Sequence, residues 1–189
     1  MRKFTVTPKS SIFADVNSDL EQITSKGKWS TAQKAQIKKG LESGVDVSIY
    51  ADPRYSQWQM YQIREGLESG VDVSVYADQK YDGGQMEQIR LGLKHGVDVT
   101  VYADPGYDEY RMDEIRLGLE SGLDISNYAD PKYDWDQMHQ ILLGLEAGID
   151  VSNYADPTLP HVEMKEIREG LIRRKASGRH GGIKRAREH

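Results

Sequence analysis

The tripeptide Tyr-Ala-Asp occurs five times in this chain, and each copy begins 26 residues after the previous one. The copies begin at Tyr50, Tyr76, Tyr102, Tyr128 and Tyr154. A Gly-Leu pair keeps the same spacing six times, from Gly40 to Gly170. A strict period of this length marks one supersecondary unit stacked on copies of itself, because a single unit cannot bury its apolar face alone. The sequence therefore predicts a repeat architecture, a class of fold that usually binds other molecules.

The copy from Tyr76 to Val101 shows how each repeat is expected to fold. Asp82 and Gln85 have the spacing of a capping box, which satisfies two backbone N–H groups at the start of a helix. The apolar residues that follow recur at intervals of three and four, which places them on one helix face. Gly96 stands where a left-handed residue ends the helix. Asp98 then begins a second, shorter helix.

The segment after the glycine has an alternative interpretation as a β-strand. Val97 and Val99 alternate as strand residues do, and leucine-rich repeats of similar length use strands. The leucine-rich signature is missing, however, and Asp, Ser and Asn fill this segment. We therefore predict an all-α fold, a short α-solenoid in which each 26-residue repeat contributes a long helix and a short helix.

The chain begins with a segment outside the repeat. Residues 1–28 are predicted to form an N-terminal arm or cap, in which Phe4, Val6 and Ile12 indicate a small β element or an extended arm. The start lacks the apolar core of a signal peptide. The chain has no cysteine and no apolar stretch long enough to span a membrane. We therefore expect a cytoplasmic protein with no membrane partner.

The other end of the chain also departs from the repeat. The predicted helical repeat domain comprises residues 29–176. Arg174 replaces the stop glycine in the last copy, so the last helix is expected to run on until about Ser177. Residues 177–189 are rich in glycine and arginine, a composition that predicts a basic disordered tail.

Charge is distributed unevenly along the chain. Residues 40–172 contain ten Lys and Arg side chains against 26 Asp and Glu, a net charge of −16, whereas residues 1–39 carry +5 and residues 173–189 carry +6. An acidic body repels nucleic acid and attracts basic protein surfaces, and a basic tail does the reverse. The candidate phosphate contacts are Arg173, Arg174, Lys175, Arg179, Lys184, Arg185 and Arg187.

Residues that recur between copies are predicted to build the core. Met60, Ile63 and Leu67 represent the inward helix face. Tyr50 represents a tyrosine wedged between helices with its hydroxyl bonded to backbone. A glycine inside a helix costs about 1 kcal/mol relative to alanine, so the Gly-Leu glycine predicts close approach of a neighbouring backbone. An arginine also recurs, represented by Arg64, and it predicts a ladder of ion pairs between repeats with Asp52 and its equivalents. The alternative is a row of arginines that bind anions.

Four positions of the long helix vary between copies and share one helix face. Stacked copies would present these positions as a surface about five helices wide, with apolar anchors among carboxylates, as in protein-binding hot spots. The predicted partner-binding residues are Trp58, Tyr61, Leu91, Tyr110, Leu117, Trp135, His139 and Leu143. The alternative is that the three leucines only pack against the next repeat.

No pattern of catalytic chemistry is present in the sequence. The chain has no phosphate-binding loop, no Gly-x-Ser-x-Gly and no dinucleotide fingerprint. Its five histidines lack the spacing of zinc ligands. We therefore predict a non-enzymatic protein with no catalytic residue, no cofactor, no metal site and no small-molecule substrate.

One stretch carries a family resemblance. Residues 128–138 read Tyr-Ala-Asp-Pro-Lys-Tyr-Asp-Trp-Asp-Gln-Met, and residues 144–152 read Gly-Leu-Glu-Ala-Gly-Ile-Asp-Val-Ser. These motifs resemble the tandem YADP-type repeats of proteins from phages and mobile elements of Gram-positive bacteria, and the likeness covers about residues 30–172. The resemblance implies no shared chemistry, since such repeats are appended to varied proteins. It also implies a genetic setting rich in inhibitors of host defence, including anti-CRISPR and anti-restriction proteins.

Three functions follow from these observations. The first is a scaffold that binds a protein partner through the variable helical face. The second is an inhibitor of a host defence nuclease, whose nucleic-acid channel the acidic repeat body would occupy as a nucleic-acid mimic. The third is nucleic-acid binding through the basic ends.

Overall fold

All secondary structure that the computed structural model describes is helical. The model describes the backbone of residues 9–184 and the side chains of residues 15–178. The α-helices are α1 (Lys9–Ile23), α2 (Thr31–Ser43), α3 (Gln57–Ser69), α4 (Gly83–His95), α5 (Glu109–Glu120), α6 (Trp135–Glu146) and α7 (His161–Lys184). Short 3-10 helices follow α2 to α5 at Val47–Ile49, Val73–Val75, Val99–Val101 and Ile125–Asn127. The predicted all-α fold is confirmed, with a short helix and not a strand after Gly44, Gly70, Gly96 and Gly122, and a turn after Gly148.

The long helices begin and end where the capping residues predict. In α2 the Ser30 hydroxyl accepts from the Gln33 N–H at 3.1 Å, and the Gln33 side chain accepts from the Ser30 N–H at 2.8 Å. Reciprocal bonds of this kind also start α3, α4 and α6. Gly44 ends α2 with a φ of +76°, a left-handed conformation that costs glycine little.

The recurring tyrosine explains the glycine inside α2, α3, α5 and α6. The Tyr50 hydroxyl donates to the backbone carbonyl of Gln36 at 3.1 Å, directly over Gly40. A methyl group at Gly40 would overlap that hydroxyl and would lie 2.9 Å from Val47. The expected close approach of a neighbouring backbone is therefore wrong, because the group that needs the space is a side chain of the same repeat. The predicted bond from the tyrosine hydroxyl to backbone is confirmed.

The predicted arginine–aspartate ladder is also wrong. Arg64 donates from Nε to the Gln36 side chain of the preceding long helix at 3.1 Å and pairs with Glu65 and Glu68 on its own helix. Asp52 instead accepts from the Arg54 N–H at 2.9 Å within its own turn. An aspartate side chain readily accepts a hydrogen bond from the backbone N–H two residues onward. The carboxylate of Asp52 is therefore bonded within its own turn and not to another repeat.

The chain divides into two compact units, Met1–Lys94 and His95–His189. In the first, α1 packs against α2 and α2 against α3, and Arg90 of α4 donates to Gln62 of α3 at 2.8 Å. In the second, α5 packs against α6 and α6 against α7. Within each unit, successive helices therefore pack in chain order, as expected of an α-solenoid.

Both ends of the described chain differ from the sequence expectations. Helix α1 includes Ile12, so this residue is helical and not part of a β element or extended arm, whereas Phe4 and Val6 lie outside the described residues. The missed signal is the spacing of Val16, Leu20 and Ile23, intervals of four and three that suit one helix face.

Helix α7 ends at Lys184 and not near Ser177. No left-handed glycine interrupts α7, since Arg174 holds the position that Gly148 holds one repeat earlier, just after the end of α6. The helix therefore includes residues 177–184 of the predicted disordered tail. Residues 185–189 lie outside the described residues.

Candidate protein-binding surface

Each unit leaves large aromatic side chains exposed on the first turn of its long helices. Trp58 in the first unit is 62% exposed, and Tyr110 and Trp135 in the second are 59% and 43% exposed. Of the residues that recur between copies, Met60 and Ile63 are fully buried and Leu67 is half-buried. The exposed aromatic side chains are therefore not part of the buried core of the repeats.

The exposed tryptophan of the first unit is held by its neighbours. The ring of Trp58 meets the ring of Tyr61 edge-on, with centroids 6.1 Å apart, and the Arg64 guanidinium lies 5.3 Å from the Tyr61 centroid. A methyl group at Gly83 would lie 2.7 Å from Cβ of Trp58, so the glycine leaves room for the tryptophan. Leu91, the other predicted contact in this unit, is half-buried.

The second unit brings two of the predicted contacts together. Tyr110 on α5 and Trp135 on α6 have ring centroids 6.1 Å apart at an interplanar angle of 40°. Trp135 occupies the position in its repeat that Gly83 occupies two copies earlier. Leu117 is 36% exposed on α5, and Leu143 on α6 is half-buried.

His139 lies at a junction between repeats. Its Nδ1 is 3.1 Å from the carboxylate of Glu114, which is buried between α5 and α6. Glu114 holds the place of the glutamine that bonds the next repeat's arginine elsewhere, and Leu142 replaces that arginine. Burial raises the pKa of Glu114, and His139 opposes that rise without cancelling it. A histidine–glutamate contact has thus replaced a glutamine–arginine hydrogen bond, and the role of His139 as a partner contact stays a prediction.

A periodic set of exposed carboxylates starts the short turns. Each accepts the backbone N–H of the serine or threonine two residues onward at 3.0 Å. The side-chain hydroxyl and the backbone N–H of that residue together lower the carboxyl pKa. The five residues are Asp46 and Asp72 in the first unit and Asp98, Asp124 and Asp150 in the second. These surfaces are therefore negatively charged at neutral pH.

The predicted phosphate contacts occupy different environments. Lys175 donates from Nζ to the carbonyls of Ala147 and Gly148 at 2.8 and 2.6 Å, so it caps the end of α6. Arg173 is exposed and lies 3.8 Å from Glu169. Arg174 lines a pocket described below. The side chains of the remaining four, Arg179, Lys184, Arg185 and Arg187, lie outside the described residues.

A pocket of about 430 Å³ lies beside α7 in the second unit. Its lining residues are Asn153, Glu166, Ile167, Gly170, Leu171 and Arg174. This pocket was not among the predicted sites. The available signal was that the Gly-Leu pair at Gly170 is the last of six and has no Tyr-Ala-Asp after it.

Two negative observations apply to the described part of the chain. No group of histidine and acidic side chains there could hold a metal ion, and no helix there is both long and apolar enough to cross a membrane. Comparisons with protein-family models, with curated proteins and with solved structures found no match for this chain.

Proposed function

We propose that this chain is a non-enzymatic repeat scaffold that binds a protein partner through exposed aromatic side chains on its long helices. The supporting observation is the separation between two sets of residues. Recurring Met, Ile and Tyr side chains are buried, whereas aromatic residues that vary between copies reach solvent. A large rigid ring contributes binding energy at a small cost in side-chain entropy, which makes Trp and Tyr frequent hot-spot residues.

The Tyr110–Trp135 pair is the contact on which this proposal chiefly rests. The two rings come from different helices and lie close enough to form one apolar patch. Leu117 extends the exposed apolar surface of α5, and Asp113 beside it is paired with Arg116. Apolar anchors bordered by charged groups are the arrangement found at interface cores.

A capture experiment with matched variants tests the proposal. The tagged chain is used to capture partners from a bacterial lysate treated with nuclease, and the double variant Tyr110→Ala, Trp135→Ala is compared with Val101→Ala. Val101 is 40% exposed, close to the 43% of Trp135, but lies on a short helix. We expect the aromatic variant alone to lose the protein partner. Equal capture by both variants would contradict the proposal.

A second candidate function uses the acidic surface to occupy the nucleic-acid channel of a host defence nuclease. The supporting observation is the periodic row of exposed carboxylates with lowered pKa values. The resemblance to mobile-element repeats makes CRISPR and restriction nucleases the first partners to test.

The triple variant Asp98→Asn, Asp124→Asn, Asp150→Asn separates this function from the first. Asparagine caps a helix about as well as aspartate, so the variant removes charge while keeping the turns. A nucleic-acid mimic should lose affinity for the nuclease and should compete with DNA. An adaptor that binds through aromatic anchors should keep its partner.

Nucleic-acid binding through the basic ends is the third candidate. Deleting residues 177–189 tests it while keeping Lys175, whose bonds to α6 a longer deletion would remove. If Arg179, Lys184, Arg185 and Arg187 contact phosphates, the deletion should weaken binding to DNA or RNA and reduce its dependence on salt.

A further inference from the structure

On four of the long helices, α2, α3, α5 and α6, the turn that follows fills a groove on the helix. On α6 the Tyr154 hydroxyl donates to the Gln140 carbonyl at 3.2 Å and lies over Gly144, while Val151 packs beside it. The same tyrosine, carbonyl, glycine and valine or isoleucine arrangement is described on α2, α3 and α5. A short turn with an apolar residue three positions before a tyrosine therefore closes each of these four grooves.

The equivalent groove on α7 is open. A methyl group at Gly170 would meet only the guanidinium of Arg173, at 4.0 Å, whereas at Gly144 it would overlap a tyrosine hydroxyl. Ile167 is half-buried, although its equivalent Ile141 is fully buried. The sequence explains the difference, because α7 continues past Arg174 in place of turning back over its own glycine.

The pocket beside α7 coincides with this groove. Glu166 and Gly170 line it at the positions of the carbonyl and the glycine that the tyrosine turn covers on α6, and Ile167 and Leu171 line it beside them. Asn153 forms another wall and belongs to the last short turn of the repeats. The open space therefore lies where one further short turn would pack, and its volume of about 430 Å³ is within the usual range of ligand pockets.

We propose that this groove binds a short helical turn of a partner protein, with an apolar β-branched residue three positions before a tyrosine. The tyrosine hydroxyl would donate to the backbone carbonyl of Glu166 over Gly170, and the β-branched side chain would cover Ile167. Glu166 and Arg174 at the rim would set the charge preference. The site is separate from the Tyr110–Trp135 patch and does not depend on it.

A different protein fits this groove better than a second copy of this chain. The five tyrosines of the Tyr-Ala-Asp motifs are fully buried, so a second copy has no such turn to offer while it stays folded. Residues 1–8 and 185–189 contain no tyrosine, so these segments cannot supply one either.

A peptide with the sequence of residues 150–157, Asp-Val-Ser-Asn-Tyr-Ala-Asp-Pro, is the probe. Binding to the full chain is followed by methyl and amide NMR signals at peptide concentrations up to about 1 mM. We expect the signals of Ile167, Gly170 and Leu171 to shift. A peptide with phenylalanine in place of tyrosine should bind about fivefold more weakly, the usual effect of one lost hydrogen bond.

The Gly170→Ala variant gives the decisive comparison. Its methyl group would occupy the place of the hydroxyl, so peptide affinity should fall by about tenfold or more. The variant should fold at least as well as the parent, because alanine favours the helix and the site is open. Gly178→Ala is the control, since it makes the same change on α7 with nothing within 4 Å. Absent shifts at the groove, or equal peptide affinity for Gly170→Ala and the parent, would overturn the proposal.

Discussion

At the scale of single residues, Gly144 and Tyr154 depend on one another. The glycine leaves space for the hydroxyl, and the hydroxyl satisfies its hydrogen bond on the Gln140 carbonyl. Burial raises the pKa of Tyr154 to about 12, so this hydroxyl keeps its proton and its donor role across the physiological range. The pair is thus a steric fit joined to a hydrogen bond.

The first prediction is that Gly144→Ala and Tyr154→Phe are energetically coupled. Gly144→Ala alone should destabilise the chain by about 1–3 kcal/mol, because the core must accommodate a methyl group where the hydroxyl lies. Phenylalanine lacks that hydroxyl, so the alanine should cost less in the Tyr154→Phe background. Urea unfolding of the parent, both single variants and the double variant measures the coupling. Additive free energies of unfolding would contradict this account of the glycine.

The Glu114–His139 pair gives a second prediction at this scale. The raised pKa of Glu114 means that the folded chain holds this proton more tightly than the unfolded chain does. Stability from this group is therefore fully present below the unfolded pKa and is lost as pH rises through the folded one. We expect the free energy of unfolding of the parent, relative to Glu114→Gln, to fall as pH rises above about 4.3. A constant or rising difference would contradict the assignment.

Asp124 provides a third prediction, with the opposite sign. Hydrogen bonds from Ser126 lower the pKa of Asp124, so its contribution is present above the unfolded pKa and is lost as pH falls through the folded one. The parent should therefore lose stability relative to Asp124→Asn below about pH 3.9. Unfolding curves at several pH values measure the difference. If the free energies of unfolding of the two proteins change equally as the pH is lowered, the hydrogen bonds do not favour the charged carboxylate.

At the scale of elements, Lys175 on α7 caps the C-terminus of α6 with two hydrogen bonds. The fourth prediction is that Lys175→Met lowers the free energy of unfolding by about 0.5–1.5 kcal/mol per bond that is lost. Arg173→Met is the matched control, because that exposed side chain lies 3.8 Å from its acidic neighbour. Urea unfolding distinguishes them. Equal effects would show that Lys175 has no special capping role.

The sequence predicted the elements whose start and stop signals are local. Capping boxes and left-handed glycines fixed the long helices, and Ser30 with Gly44 bounded α2. The end of α7 was not predicted, because the sequence shows where a stop glycine is missing but not how far a helix continues without it. The N-terminal helix α1 was missed, since it has no repeat partner for comparison.

The candidate site was predictable only in part. Exposure of Trp58, Tyr110 and Trp135 followed from variation between copies, which marks positions that the core does not fix. The Glu114–His139 contact was not predicted, because it joins two departures from the repeat pattern 25 residues apart. The pocket on α7 was missed because it arises where the last repeat lacks a Tyr-Ala-Asp turn.

At the scale of the whole molecule, the hydrogen bonds between repeats that are described within each unit join neighbouring repeats. The fifth prediction is that removing one repeat in phase, residues 134–159, leaves a cooperatively folded chain. Glu114 would then face Arg168, a favourable charged pair. The free energy of unfolding and its urea dependence should both fall, because less surface is buried.

Deleting residues 134–146 alone is the control for this experiment. That change removes α6 but keeps Tyr154, whose hydroxyl would have neither its glycine nor its carbonyl. We expect circular dichroism to show a marked loss of helix for the control only. Equal loss in both deletions would contradict the independence of the repeats.

The tyrosine that closes each groove also sets an order of assembly. Its hydroxyl bonds a carbonyl 14 residues earlier in the chain, and the longest described side-chain bonds between repeats span 28 residues. Short loops close quickly and at little entropic cost. During synthesis from the N-terminus, each helix can therefore be completed by residues that emerge from the ribosome soon after it. The nascent chain exposes about one unfinished groove at a time, which limits the apolar surface available for aggregation.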